Sequence, residues 1–321
     1  MKLDVPFVQL PLLFNAAALA QEIEALGELP WRPHPQGFPG NSMLPLVAVH
    51  GDAANEAFAG PMQPTPELQR CPYLGQVLRA LGVTIGRTRL MRLSGHAEVT
   101  RHADQGYYWV ERVRVHVPIV TQPTVRFECG DAAVNMAAGE CWIFDTWRQH
   151  RVLNDAEAPR IHLVCDTVGG ARFWQLVARG RAVGSGVDGT LQATLVEPDA
   201  GASDASFELE AFNVPKVMSP WELRAHLLFL IGEALPHPAL PALQEKSLEF
   251  VREWRALWAR SGDSDDAVAD YRKAFERFAT EMRVLARGVV LKNELPLFQV
   301  LMIMIGKSAT ATTGPVQPEA M

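Results

Sequence analysis

His102-Ala103-Asp104 sets an imidazole and a carboxylate two residues apart. In an extended segment, positions two apart project from the same side, so both side chains can meet one ion. A third ligand from a distant strand would complete a two-histidine, one-carboxylate set, which holds Fe(II) on one side and leaves positions open for a cosubstrate and O₂. His150 is the candidate, 46 residues after Asp104 and directly after the strand-like GECWIFDTW. Ten residues further on, Arg160 opens another strand pattern, RIHLVCD. A buried guanidinium needs an anion. A dicarboxylate such as 2-oxoglutarate provides one, because it chelates iron at one end and presents its far carboxylate for a two-pronged hydrogen-bonded grip. Arg114 and His116, on one face of their own strand, add further donors.

Each element is weak alone. An HxD pair is common by chance, a strand face bearing Arg112, Arg114 and His116 is ordinarily solvated, and an arginine at a strand end is ordinarily in an ion pair. The weight lies in the ordered set within one β-rich block, where five of the nine histidines fall (His96, His102, His116, His150 and His162).

The elements that must position these residues follow from periodicity and turn signals. Residues 87–167 are a series of short segments rich in Val, Ile, Thr, Phe and Trp, broken by Gly130-Asp131, Ala138-Gly139 and Asn154-Asp155, the pattern of a β-sandwich or small barrel. In RVRVHV, Val113, Val115 and Val117 must share one face and Arg112, Arg114 and His116 the other. Before this block, residues 16–26 predict a short helix, 29–45 a proline- and glycine-rich loop, and 67–81 a helix broken early by Pro72. Residues 181–206 predict a linker with one strand at most. Beyond it, Ser219-Pro220-Trp221-Glu222 has the form of a capped helix start, and amphipathic stripes through Trp254, Phe278 and Leu297–Ile305 carry helices to residue 306. The expected organisation is a β-rich catalytic domain at 1–180 (core 87–167), a linker at 181–206, an α-helical domain at 207–306 and a flexible tail at 307–321.

Bulk properties narrow the function classes. A net charge of −6 with 21% charged residues gives no broad basic surface for nucleic acid or anionic lipid. Asp4, Pro6 and Pro11 interrupt the apolar start that a secretory signal needs, and the ten-residue run LFQVLMIMIG is about half of what crosses a bilayer. The expectation is a cytoplasmic protein that acts on small molecules or peptides, with no membrane or nucleic-acid partner. Cys71, Cys129, Cys141 and Cys165 form no CxxC pair and are expected as buried, reduced thiols.

The sequence HAD…RVRVHVPIVT…GECWIFD…HRVLND…RIHLVCD resembles the aspartyl/asparaginyl β-hydroxylase family of Fe(II)/2-oxoglutarate dioxygenases and the related bacterial proline cis-hydroxylases. The resemblance spans residues 87–167. It implies a double-stranded β-helix (a cupin-like jelly roll) with flanking helices, iron held by His102, Asp104 and His150, Arg114 and His116 beside the 2-oxoglutarate, and Arg160 on its far carboxylate. The implied activity is hydroxylation of an unactivated C–H of an amino acid or amino-acid residue, with O₂ and 2-oxoglutarate consumed and succinate and CO₂ released. Tyr107, Trp109 and Arg112 are candidate substrate contacts by position. A non-catalytic, cupin-like binder of small acids is the alternative. A zinc hydrolase would leave Arg114, His116 and Arg160 without a role, and an interaction module in the helical region has no motif behind it. Substrate identity and oligomeric state stay open.

Overall fold

The computed structural model describes residues 1–35, 37–184, 190–201 and 206–310. The described residues pack as two compact units, one from residues 1–104 and 109–213 and the other from residues 105–108 and 214–310.

The first unit begins with β1 (Phe7–Phe14), α1 (Ala16–Leu26), β2 (Arg32–Pro33), β3 (Asn41–Val49), β4 (Met62–Pro64), α2 (Pro66–Gln69) and α3 (Pro72–Leu81). Eight strands follow, β5 (Thr84–Leu93), β6 (Glu98–His102), β7 (Val113–Val120), β8 (Val125–Cys129), β9 (Ala132–Val134), β10 (Glu140–Phe144), β11 (His150–Asn154) and β12 (Arg160–Gly169), with the short helix α4 (Tyr107–Val110) between β6 and β7. The unit ends with α5 (Ala171–Ala178), β13 (Arg181–Val183) and β14 (Thr194–Val196).

The larger sheet runs β13-β1-β10-β7-β12-β5-β3-β2 and the smaller β6-β11-β8-β9. Strands β5, β7, β10 and β12 therefore lie in one sheet and β6, β8, β9 and β11 in the other, joined by antiparallel pairings. That interleaving is a double-stranded β-helix, the expected fold. In β7 the alternation divides the environments as the sequence implies. Val113, Val115 and Val117 join a core with Leu19, Ile23, Leu74, Val77 and Phe173 of the covering helices. A second core, with Phe7, Trp142 and Phe144 from the larger sheet and Val125, Phe127 and Val152 from the smaller, fills the space between sheets. Arg114 and His116, opposite the valines, consequently face this inter-sheet space. The polar face of β7 is enclosed.

Two expectations need correction. Residues 29–45 are not a loop throughout, since β2 and the first half of β3 lie there. The segment expected as a linker supplies β13, antiparallel to β1, and β14, parallel to it; residues 185–189 and 202–205 lie outside the described residues. Further on, the amide of Ile85 donates to the Glu208 carbonyl, and the Arg112 guanidinium pairs with Glu210. Pro72 breaks the helix expected over 67–81, dividing it into α2 and α3, and the first turn of α3 needs no donor from it. The four cysteines are buried free thiols, and burial pushes Cys71, Cys129 and Cys165 up to about 12.

The second unit is helical: α6 (Pro220–Glu233), α7 (Leu240–Ser261), α8 (Val268–Leu285) and α9 (Leu297–Leu301), the last running into a widened turn at Met302–Gly306. Ser219 caps α6 by accepting from the Glu222 amide. Phe250 stacks on Phe278 at 4.1 Å, and Trp254 lies against Tyr271 while donating to the Met218 carbonyl. Residues 307–310, placed in the expected tail, are packed here, with the Met218 amide bonded to the Ala309 carbonyl. The tail from 311 onward lies outside the described residues. No helix among the described residues is long and apolar enough to cross a membrane.

Candidate metal centre

Strands β6 and β11 lie side by side in the smaller sheet with His102 directly opposite His150. Their rings are 4.2 Å apart between centroids. The chain leaves β6 after His102 and brings the Asp104 carboxylate to the same place, its amide tied to the Thr146 carbonyl at the approach to β11. One donor atom of each of His102, Asp104 and His150 lies within 4.8 Å of the other two. Among the described residues this is the one group of three or more such side chains able to hold an ion.

The tautomers follow from backbone contacts. Nδ1 of His102 lies 2.7 Å from the Thr100 carbonyl, and Nδ1 of His150 lies 2.9 Å from the Arg148 carbonyl. A carbonyl oxygen only accepts, so each Nδ1 carries the proton and each Nε2 keeps its lone pair for a metal. Burial pushes His150 down to about 3, with His102 adding to the fall, so its lone pair is free at neutral pH. Asp104 is opposed by burial, which favours the neutral acid. Arg114 and the two imidazoles outweigh this and hold its carboxyl below the usual range. Its Oδ2, buried, accepts no hydrogen bond. Two imidazole lone pairs and an ionised carboxylate fit a divalent cation.

Arg114 holds this carboxylate. Its NH1 is 3.3 Å from Asp104 Oδ2, its Nε is 3.2 Å from Asp166 Oδ1, and its guanidinium lies 4.0 Å over the Trp109 ring. The side chain expected beside the cosubstrate is thus engaged with Asp104, the candidate acidic ligand. His116 lies deeper, edge-on to Phe127 and Phe144. Arg160 is 3% exposed, and among the described residues no carboxylate lies within ion-pairing distance of it. Its partner is His162, whose Nδ1 accepts from the guanidinium at 2.6 Å. Burial alone pushes Arg160 down to about 9, the mark of an enclosed cation without a counter-charge.

The other candidates separate. Arg112 is committed to Glu210 in a two-pronged buried pair at 2.8 and 3.2 Å, so its guanidinium holds the barrel wall. Trp109 packs on Phe58 as well as on Arg114. Tyr107 belongs to the helical unit, where its hydroxyl donates to Glu222 at 2.5 Å. The sequence reading missed His162, Arg89 and Asp166. Arg89, in β5, is 5% exposed; its nearest carboxylate is Asp166 at 3.9 Å, and burial and Arg87 lower it to about 9. A signal was present, since RTRLMR on β5 and RIHLVCD on β12 place Arg87 and Arg89, and Arg160, His162 and Asp166, on single strand faces.

His116, His150 and His162 are all held neutral chiefly by burial, whereas unfolded imidazoles titrate near 6.5. Below that pH the unfolded chain binds protons that the folded chain refuses, so the metal-free protein loses stability as pH falls below about 6.5. Each histidine contributes up to about 1.4 kcal/mol per pH unit. Urea melts of metal-free protein between pH 7 and about 5 should show the midpoint falling steadily. A constant midpoint would mean that these imidazoles are protonated in the folded state.

A double-stranded β-helix with two imidazoles and a carboxylate converging in one cluster is the architecture of the non-haem Fe(II) oxygenases. Residues 57–169, roughly a third of the chain, match the aspartyl/asparaginyl beta-hydroxylase family model. No curated protein matches the chain. Among solved structures it is similar to an oxidoreductase of the 2OG-Fe(II) oxygenase family from Burkholderia pseudomallei, at 17% identity over 53% of this chain and 88% of that one, with a TM-score of 0.38. It is also similar to a prolyl-4-hydroxylase from Pseudomonas putida (17% identity, 51% and 92% covered, TM-score 0.36). A third is a Trichoplax adhaerens prolyl hydroxylase in complex with a hypoxia inducible factor peptide (12%, 54% and 87%, TM-score 0.37).

Proposed function

We propose that this protein is an Fe(II)- and 2-oxoglutarate-dependent hydroxylase acting on a carboxylate-bearing amino acid or amino-acid residue. The observation that carries the reading is the convergence of His102, Asp104 and His150 donor atoms within 4.8 Å, with both Nδ1 atoms already committed to backbone carbonyls.

Fe(II) bound by these three side chains supplies the oxidative chemistry: substrate C–H, O₂ and 2-oxoglutarate give the alcohol, succinate and CO₂. The chain's own contribution is positional and electrostatic. Arg114 keeps Asp104 ionised. Arg160 meets the far carboxylate of 2-oxoglutarate, the counter-charge its burial demands. Phe127 and Phe144 surround His116 and His150 and exclude water from the site. Arg87 lies 3.7 Å from Glu56 and Arg89 3.9 Å from Asp166, and a substrate carboxylate would bind beside these two long ion pairs.

The test is a screen of the Fe(II)-loaded protein against free proline, other cyclic and acidic amino acids, and Asp- or Asn-containing peptides. Succinate release coupled to gain of one oxygen atom in the substrate is expected. If succinate never rises above the iron-free control, the protein is a binder of small acids and the hydroxylase reading fails.

A further inference from the structure

His162 follows Arg160 by two positions on β12, so both side chains rise from the same face. It is 1% exposed. Its Nδ1 accepts a hydrogen bond from an Arg160 NH2 at 2.6 Å, and a nitrogen that accepts from a guanidinium must carry a lone pair. The imidazole proton therefore sits on Nε2. His116 approaches the same atom, Nδ1 to Nδ1 at 3.4 Å. Two lone pairs facing each other would repel, so His116 carries its proton on Nδ1. The result is a chain of three buried bases with settled proton positions: a permanent cation and two neutral imidazoles.

Three polar atoms of this chain have no hydrogen-bond partner although buried: Arg160 Nε, His162 Nε2 and His116 Nε2. Leaving a buried polar group unpaired is costly, and native proteins rarely cluster such groups without a ligand to satisfy them. Water could serve the imidazoles, but it cannot balance the guanidinium. The net charge of the chain is one positive, which matches the single negative charge of a carboxylate.

We propose that His162 is a positioning residue for the cosubstrate: by accepting at Nδ1 it fixes the rotation of the Arg160 guanidinium, so that the remaining N–H groups meet the far carboxylate of 2-oxoglutarate as a preset fork. This rests on the cosubstrate role given to Arg160 above. A guanidinium free to rotate would lose orientational entropy on each binding event, whereas one held by a neutral acceptor loses less. An acidic acceptor at position 162 would hold it equally well but would cancel the charge the ligand needs. Neutral imidazole does the first without the second.

The experiment measures 2-oxoglutarate binding by calorimetry, under argon, to full-length protein loaded with Mn(II). His162→Leu should weaken binding by about tenfold or more. His162→Asn, whose amide oxygen can accept from Arg160, should stay within a few-fold of wild type. Binding of 2-oxovalerate, which lacks the far carboxylate, should be the same in all three proteins. In an Arg160→Gln background, adding His162→Leu should cost nothing further, a result that a general packing defect would not give. Wild type that binds 2-oxoglutarate while His162→Leu binds it equally well, or an equal loss for 2-oxovalerate, overturns the role of His162 alone. Wild type that takes up no 2-oxoglutarate overturns the cosubstrate reading, and this proposal with it.

Discussion

His150→Ala and His102→Ala should each reduce metal affinity by on the order of 10²-fold or more and bring iron-dependent conversion of 2-oxoglutarate to succinate down to background. Loss of a residue that merely orients a metal-bound histidine costs about 10–100-fold, and these substitutions remove the ligand itself. The folded barrel should survive both. His102 lies at the end of β6, half-buried, and the pairing of β6 with β11 runs through backbone groups that alanine retains. His150 sits against Phe144 at 4.8 Å, so its loss opens a cavity, but the backbone pairing of β11 with β6 and β8 is kept. Metal titration followed by calorimetry, with thermal melts as the control for folding, separates the effects. Undiminished succinate production in both variants would sink the assignment of the centre.

The parts of this site that could be read in the sequence are those where short spacing encodes geometry. Arg114 and His116 are two residues apart on one strand, so the pleat places them on one face, and Asp104 follows His102 closely enough to reach the same place just beyond the end of β6. The valines of β7 announce the helix-covered side by the same rule, and Ser219 announces α6 because a cap is a local hydrogen bond. His162 obeyed this rule and was still passed over, because a histidine in an apolar strand is ordinarily a satisfied core residue. Illegible parts depend on long-range pairing. Arg112 looks like a substrate contact until Glu210, 98 residues away, is found bonded to it. FVQLPLLF and NSMLPLVAV escape the alternation test because β1 and β3 are buried on both faces, so neither carries a period of two. Their prolines, read as interruptions, are absorbed where the register shifts, between Leu10 and Leu13 and between Pro45 and Val47.

Arg160→Met should move ligand affinity and stability in opposite directions. With the guanidinium gone, the far carboxylate of 2-oxoglutarate is buried without a partner, and removing one side of such a pair costs about 2–5 kcal/mol. The KM for 2-oxoglutarate should rise by on the order of 10²-fold, with kcat largely kept at saturation because the metal ligands are untouched. The metal-free protein should meanwhile unfold at the same or a higher urea concentration. Its folded state pays to bury a cation whose hydrogen-bond partner among the described residues is the neutral His162, and an apolar side chain of similar length lifts that penalty while filling the space. A structural arginine behaves otherwise: if Arg160 were matched to a protein carboxylate, its removal would strand that acid and destabilise the fold by about 3–5 kcal/mol. Steady-state kinetics and denaturant melts on the same preparation therefore decide between a residue kept for the fold and one kept for its ligand. A fold that loosens while the KM stays put would place the anion partner of Arg160 inside the protein and leave the far carboxylate of the cosubstrate to be held elsewhere.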